Sequence, residues 1–302
     1  MAVKFDNQVA VVTGAGAGLG RAHALGLAAR GAKVVVNDLG AQRDGSGSSS
    51  LAAQGVVREI QAAGGEAIAN GADITNVEQV GVMMAETLDR WGRIDVLVNN
   101  AGILRDKTFA KMPLEDFRAV LEVHLMGSVI CCKAVWAHMM ERRYGRIVVT
   151  TSSSGLYGNF GQSNYGAAKL GLVGLMNTLA IEGNKYGIHV NAISPVAATR
   201  MTKDVIPDPE KLAQLDPAAV TPAVLALCAK EGPTKTILCA GAGGYSQSQV
   251  CESDGIFLSA NHRSPESVLG QLSEIGNPAS WRALKFGGEQ TQKFLQGDRS
   301  QE

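Results

Sequence analysis

Regular alternation of apolar strand-length runs with helix-length stretches predicts an α/β fold, a doubly wound parallel sheet with helices on both faces. Two further features support it. The run at 94–98 is apolar throughout, as expected of a strand buried on both faces. The chain of 302 residues is also long enough for one large α/β domain or two small ones.

The first strand, 8–12, feeds a helix near 19–30 through a glycine-rich turn, and a second strand follows at 33–37. The segment 40–50 is rich in Gly and Ser and reads as a flexible surface insertion. A helix near 51–63, a short strand near 66–70 and a helix at 77–91 follow. After the 94–98 strand, long helical stretches over 113–142 lead to a strand at 146–151. A helix at 163–186, a strand at 188–193, a helix at 218–229 and a strand at 236–240 complete the alternation. Between the last two strands, 195–217 is broken by Pro207, Pro209 and Pro217. A loop beyond a strand end suits a substrate lid. Residues 1–245 are therefore expected to form the main domain and 246–302 an extension, serving as a lid or an oligomer contact. Within it, Ser264-Pro265-Glu266 has the pattern of an N-cap followed by proline at the first helical position.

Lys+Arg and Asp+Glu are equal at 28 each, which gives no bulk attraction to nucleic acid or anionic membranes. The five cysteines are Cys131, Cys132, Cys228, Cys239 and Cys251. They form no C-x-x-C or metal spacing and read as reduced thiols of an intracellular protein. The five histidines, His124 among them, do not cluster, so no metal is expected. No apolar run is read as a membrane span, and the first strand begins too early to leave room for a signal peptide.

Chemistry concentrates at two places. Thr13-Gly14-Ala15-Gly16-Ala17-Gly18-Leu19-Gly20 joins the first strand to the first helix. Glycines there let backbone approach a pyrophosphate at the positive end of a helix. Asp38, just past the second strand, suits the adenosine ribose hydroxyls and repels a 2′-phosphate, which favours NAD over NADP; the neighbouring Arg43 softens that discrimination. Asp73 suits the adenine amino group or, equally, a cap on the helix that follows. The second place is Tyr165 and Lys169, four apart on one helical face. An ammonium near a phenol favours the phenolate, so such a pair can move a proton to or from an alcohol oxygen.

T-G-x-x-x-G-x-G at 13–20, Asn99-Asn100-Ala101-Gly102, Ser152 and Tyr165-x-x-x-Lys169 together resemble the short-chain dehydrogenase/reductases over roughly residues 6–240. Three more stretches are similar to the (3R)-hydroxyacyl-CoA dehydrogenase unit of type-2 peroxisomal multifunctional enzymes and its stand-alone bacterial relatives. They are Val36-Asn37-Asp38-Leu39-Gly40, Gly102-Ile103-Leu104-Arg105-Asp106 and Tyr157-Gly158-Asn159-Phe160-Gly161-Gln162; Ser194 to Thr202 is also similar. The resemblance implies a Rossmann-type fold and a homodimer or homotetramer. It makes Tyr165 the general acid/base, with Lys169 lowering its pKa and holding the nicotinamide ribose. Ser152, singled out from Ser153 and Ser154 by its spacing to Tyr165, would bind the substrate oxygen. Gly14, Gly18, Leu19, Gly20, Asn99, Ala101 and Gly102 would surround the cofactor, and Pro195 and Thr199 would meet the nicotinamide carboxamide.

His124 stands where many family members carry an Asn that anchors a relay water; an imidazole there either joins the relay or fills space. Pro195-Val196 replaces the usual Pro-Gly. The expected substrate is a 3-hydroxyacyl-CoA, with Arg105, Lys107 and Lys203 either meeting its phosphates or lying solvated. A steroid or other bulky alcohol is the alternative substrate, and a non-catalytic NAD-binding sensor the alternative role. The C-terminal residues 298–302 are not a peroxisomal address, so a cytoplasmic, stand-alone bacterial enzyme is expected.

Overall fold

A computed structural model describes residues 2–199 and 208–297. Lys203, Pro207, the stretch Arg200-Met201-Thr202 and residues 298–302 lie outside them. The described chain divides into two compact units, 1–247 and 248–302.

The first unit is built on an eight-stranded sheet. Its strands are β1 (Val9–Thr13), β2 (Lys33–Asn37), β3 (Ala67–Asn70), β4 (Val96–Asn99), β5 (Gly145–Thr150), β6 (Ile188–Pro195), β7 (Ile237–Gly241) and β8 (Gly244–Ser248). They lie in the order β3-β2-β1-β4-β5-β6-β7-β8. Every pair from β3 to β7 is parallel, which is the Rossmann-type doubly wound arrangement. Only two residues separate β7 from β8, too few for a parallel crossover, so β8 turns back as a hairpin strand.

All residues of β1, β4 and β5 are buried, because helices cover both faces. The pleat sorts them. Ala10, Val12, Val34, Val36, Val96 and Val98 pack on one side with Ala24, Leu27, Val56, Ile60, Val224 and Leu227. Those partners come from α1 (Gly18–Ala28), α2 (Leu51–Ala62) and a later helix at Thr221–Cys228. Val11, Val35, Leu97, Ile147 and Val149 face the other way, onto Val80, Met83, Cys131, Val135, Leu172 and Met176.

The helices of that second face begin with α3 (Val77–Trp91), which starts on Asn76, whose side chain accepts from the Gln79 amide, and stops at Gly92 with φ 71°. Such a polar cap and a left-handed glycine bracket the helix as its sequence predicts. Then come α4 (Leu114–Leu121), a π-helical turn at Glu122–Met126, α5 (Gly127–Arg142), the short α6 (Ser153–Tyr157) and α7 (Ser163–Gly183). The order closes with α8 (Pro209–Gln214) and α9 (Thr221–Cys228).

The continuous run Leu114–Arg142, 29 residues, is long and apolar enough to cross a membrane by length and composition, contrary to the reading of the sequence. Its Cys131, Val135 and Met139 pack into the core, the behaviour of a core helix with one buried face. Burial pushes the Cys131 thiol up, and the Cys132 thiol up to about 12.

The second unit pairs two-residue strands, β9 (Cys251–Glu252) and β10 (Arg282–Ala283), antiparallel. Around them lie α10 (Pro265–Gly270), α11 (Leu272–Ile275) and α12 (Gly287–Gly297). Ser264 caps α10 by accepting from the Ser267 amide. None of these three helices carries a buried residue, and Leu269, Leu272, Trp281 and Leu295 are exposed.

Candidate active site

The C-terminal edge of the parallel strands opens into a cleft of about 350 Å³ lined by residues of the β1–α1 turn, the ends of β2, β4, β5 and β6, and α7. In doubly wound sheets this is where the strand order reverses and ligands bind.

One wall is made of backbone. Gly14 has φ 61°, and a Cβ on it would stand 2.7 Å from the Ala101 Cα; a Cβ on Gly20 would stand 2.2 Å from the Gly14 carbonyl oxygen. Thr13 Oγ1 accepts from the amides of Asn100 (3.0 Å) and Ala101 (3.1 Å), while Asn100 Nδ2 donates to the carbonyls of Thr13 and Gly14. The turn after β1 is thus bolted to the turn after β4. Helix α1 starts on Ala17 with no side-chain cap and no acidic residue in its first turn. Its first amides, with Ala17, Gly18 and Leu19 on the cleft, remain for an anionic acceptor. An uncapped helix start behind a glycine cradle fits the diphosphate of a dinucleotide. Asp38 closes this wall: Oδ2 accepts from the Gly16 amide and Oδ1 from the Gly40 amide, both at 2.7 Å. A carboxylate has about four lone-pair sites, so two remain for hydroxyl donors.

The other wall is made of side chains, with Lys169 and His124 buried and Ser152 and Tyr165 half-buried. Ser152 caps α6, accepting from the Ser154 amide at 3.2 Å, and lines the cleft together with Tyr165. Tyr165 lies in the first turn of α7, and Lys169 one turn on puts Nζ 5.4 Å from the centre of the Tyr165 ring. Lys169 Nζ donates to the Thr150 carbonyl at 2.6 Å. Desolvation pushes the Tyr165 phenol up to about 12, partly opposed by the nearby Ser152 hydroxyl. Burial also pulls Lys169 down to about 7. The expected lowering of the tyrosine by the lysine is therefore not what dominates here: desolvation disfavours both charges.

His124 sits in the π-helical turn and lines the cleft. Its ring meets Tyr165 edge to face at 5.1 Å and lies against Gly102, where a Cβ would come within 2.1 Å of it. Its Nε2 is 2.8 Å from the Ile103 carbonyl, and its buried Nδ1 has no partner among the described residues. Burial, reinforced by the Lys169 charge, holds its pKa well below 6.5, so the imidazole is neutral.

The structure brings Gly14, Gly18, Leu19, Asp38, Ala101, Gly102, His124, Ser152, Tyr165, Lys169, Pro195 and Thr199 onto this one cleft. Gly20 lies directly beneath the cradle. Two other residues stand elsewhere. Asn99 shares the pleat face of Leu97, so its amide points to α5 and donates to Cys132 Sγ; its neighbour Asn100 lines the cleft instead. Counting strand alternation past Leu97 would have shown this. Asp73 does not line the cleft; its carboxylate accepts from the Thr75 amide and hydroxyl at 2.9 and 2.8 Å, a turn-capping role. Arg105 and Lys107 both pair with Asp116, at 3.1 and 2.9 Å, and so are not free for phosphates.

Reading motifs alone missed the rim. There Gln162 accepts from the Ser154 hydroxyl and the Asn159 amide and donates to Asp106. Thr13 and Asn164 were missed as well; Asn164 Nδ2 donates to the Arg105 carbonyl at 3.0 Å.

Comparison with known proteins is consistent with this geometry. The family model described as short chain dehydrogenase matches residues 8–210. A short-chain type dehydrogenase/reductase of Mycobacterium tuberculosis is 51% identical over 264 residues, 87% of this chain and 91% of its own length. The full-length peroxisomal multifunctional enzyme type 2 of Drosophila melanogaster superposes with a TM-score of 0.80 at 35% identity. That match covers 97% of this chain, which spans half of the Drosophila protein. A 7α-hydroxysteroid dehydrogenase, solved with NADH and 7-oxo glycochenodeoxycholic acid, gives 0.72 at 30% identity, covering 81% of this chain and 96% of that one. The chain belongs to the short-chain dehydrogenase/reductases, oxidoreductases that act on CH–OH groups and bind a nicotinamide cofactor.

Proposed function

We propose that this chain is an NAD-dependent dehydrogenase of 3-hydroxyacyl-CoA thioesters, with Ser152, Tyr165 and Lys169 as its catalytic residues. The observation that carries the chemistry is the convergence on one cleft of Ser152, Tyr165 and Lys169, with Lys169 Nζ 5.4 Å from the centre of the Tyr165 ring. Asp38 in the cleft wall supports NAD, since a 2′-phosphate beside a carboxylate is repelled. The motif resemblance to the (3R)-hydroxyacyl-CoA dehydrogenase unit of type-2 multifunctional enzymes, together with the likeness of the Drosophila enzyme of that type over nearly the whole chain, supports the acyl-CoA substrate.

When bound, the cofactor supplies the hydride acceptor, and its positive nicotinamide favours a phenolate nearby. The rest falls to this chain's residues. In alcohol oxidation, Tyr165 accepts the hydroxyl proton as the C–H bond breaks, and Ser152 holds the oxygen as it becomes a carbonyl. In the reverse direction Tyr165 donates that proton, which a phenol held at about 12 carries throughout the neutral range. Lys169, held down to about 7, stands beside the Tyr165 ring, where its protonated form would favour the phenolate and its ammonium would hold the cofactor's ribose. His124, neutral and packed on Tyr165, fixes the ring's orientation.

The test is NADH absorbance with chain-length-graded (3R)- and (3S)-hydroxyacyl-CoAs, using NAD and NADP in parallel. Turnover of one stereochemical series with NAD is expected. Inactivity on every thioester would sink the acyl-CoA reading. The hydroxysteroid dehydrogenase match motivates a second reading, so a 7α-hydroxy bile acid belongs in the same panel. Turnover of any of these substrates excludes a non-catalytic sensor. Exposed apolar side chains on the second unit support assembly into a homodimer or homotetramer, which light scattering in solution reads.

A further inference from the structure

The Gly40–Ser50 segment is not the free surface insertion its composition suggests. The loop is pinched at its base, where the Ser49 amide donates to the Leu39 carbonyl at 2.9 Å. There the backbone of Ser49 crowds Gly40, and a Cβ on Gly40 would fall 1.8 Å from the Ser49 carbonyl oxygen. Its root is Asp38, which holds the Gly40 amide from the cofactor wall of the cleft. The tip is ordered by its own turn, with the Asp44 carboxylate accepting from the Ser46 amide and hydroxyl. These are the marks of a compact loop with close ends.

The tip is fastened to the opposite wall. The Leu104 amide donates to the Arg43 carbonyl at 2.9 Å, and Leu104 lines the cleft. Gly45, with φ 93°, lies so close to Ile103 that a Cβ would meet its methyl at 3.2 Å. Arg105 makes the main tie. Its Nε donates to the Asp44 carbonyl at 2.9 Å, its Nη1 donates to Asp116 in α4 at 3.1 Å, and its own carbonyl receives Nδ2 of Asn164, the residue before Tyr165. One residue therefore joins the loop rooted at Asp38, the head of α4 and the foot of the catalytic helix.

We propose that Arg105 is a positioning residue whose guanidinium fork clamps the Gly40–Ser50 loop between the Asp38 and Leu104 walls of the cleft and so governs cofactor retention. The physical reason is entropic. A Gly- and Ser-rich loop has many open conformations, and a charged donor to a backbone carbonyl is among the stronger ties that can select one. Only a planar fork reaches Asp44 and Asp116 at once; a lysine ammonium reaches one or the other. The proposal rests on nicotinamide cofactor binding in this cleft, so its test includes a measurement made without cofactor.

That measurement is trypsin cleavage after Arg43 in the cofactor-free protein, compared for wild type, Arg105→Met and Arg105→Lys. NADH release, followed by stopped-flow fluorescence, is the second readout. For Arg105→Met, cleavage and NADH release are both expected to quicken by on the order of tenfold. KM for NAD should rise with kcat little changed. Arg105→Lys should keep the ion pair with Asp116 and thermal stability near wild type, yet leave both rates fast. Wild-type rates in Arg105→Lys would overturn the role of the fork, and unchanged rates in both variants would overturn the clamp. If wild type binds no NADH, the cofactor reading fails by itself, and the cleavage comparison still decides whether Arg105 holds the loop.

Discussion

The two walls of the cleft are built from different materials. The cofactor wall is backbone: glycines at positive φ, uncapped helix amides, and turns bolted through Thr13 and Asn100. The catalytic wall is side chains, half-buried Tyr165 with buried Lys169 and His124, whose charged forms are disfavoured by desolvation. A backbone wall tolerates little change in shape but is indifferent to pH. A side-chain wall tolerates conservative change in shape but depends on protonation. Substitutions on the two sides should therefore fail in different ways.

Tyr165→Phe should give the largest effect. It removes the proton carrier and spares the cradle, so kcat should fall by about 10²–10⁴-fold while NADH binding stays near wild type. A variant that turns over at the wild-type rate would show that the catalytic wall has been misidentified. Gly14→Val attacks the other wall. The new side chain meets Ala101 and demands a left-handed valine, a strain of about 1–3 kcal/mol. NADH titration should show affinity weakened by roughly tenfold to a hundredfold, and unaltered affinity would break the claim that backbone approach builds the site.

Stability should depend on pH through the buried histidines. His23, buried beside Thr221, is lowered to about 3, and His124 lies well below 6.5. Both pKa values are depressed in the folded state, so unfolding takes up protons once pH falls below about 6.5. Stability is full above that pH and declines as pH falls, by about 1.4 kcal/mol per pH unit for each histidine that is neutral folded and charged unfolded. Denaturant unfolding should show a proton uptake that grows as pH falls from 6.5 to 5, with His138 and His189, also lowered by burial, adding to it, and His23→Asn should remove up to one proton. A slope unchanged by that substitution would place the proton uptake elsewhere.

Much of the site was legible because its parts are local. Gly14 to Gly20, Asp38 and the Tyr165–Lys169 spacing each declare themselves within a single turn or strand end. Asn99 was misplaced because a motif names a stretch, while the pleat decides which member faces the cleft. Asp73 has a carboxylate satisfied by its own turn, a local bond that competes with any ligand. Arg105 and Lys107 looked available because Asp116, their shared partner, lies on the next helix. The Gly40–Ser50 loop looked free because its fastening to Leu104 and Arg105 is a contact distant in sequence.

By itself the sequence determined the alternation of strands and helices, the glycine cradle and the four-residue pairing of Tyr165 with Lys169. Periodicity and chain geometry act over a few residues and need no tertiary partner. The fold alone decided the protonation of that pair, the neutral state of His124, the replacement of Asn99 by Asn100 at the cleft and the pinning of the loop by Arg105. Each of these depends on desolvation or on a partner far away in the chain, and only packing supplies either.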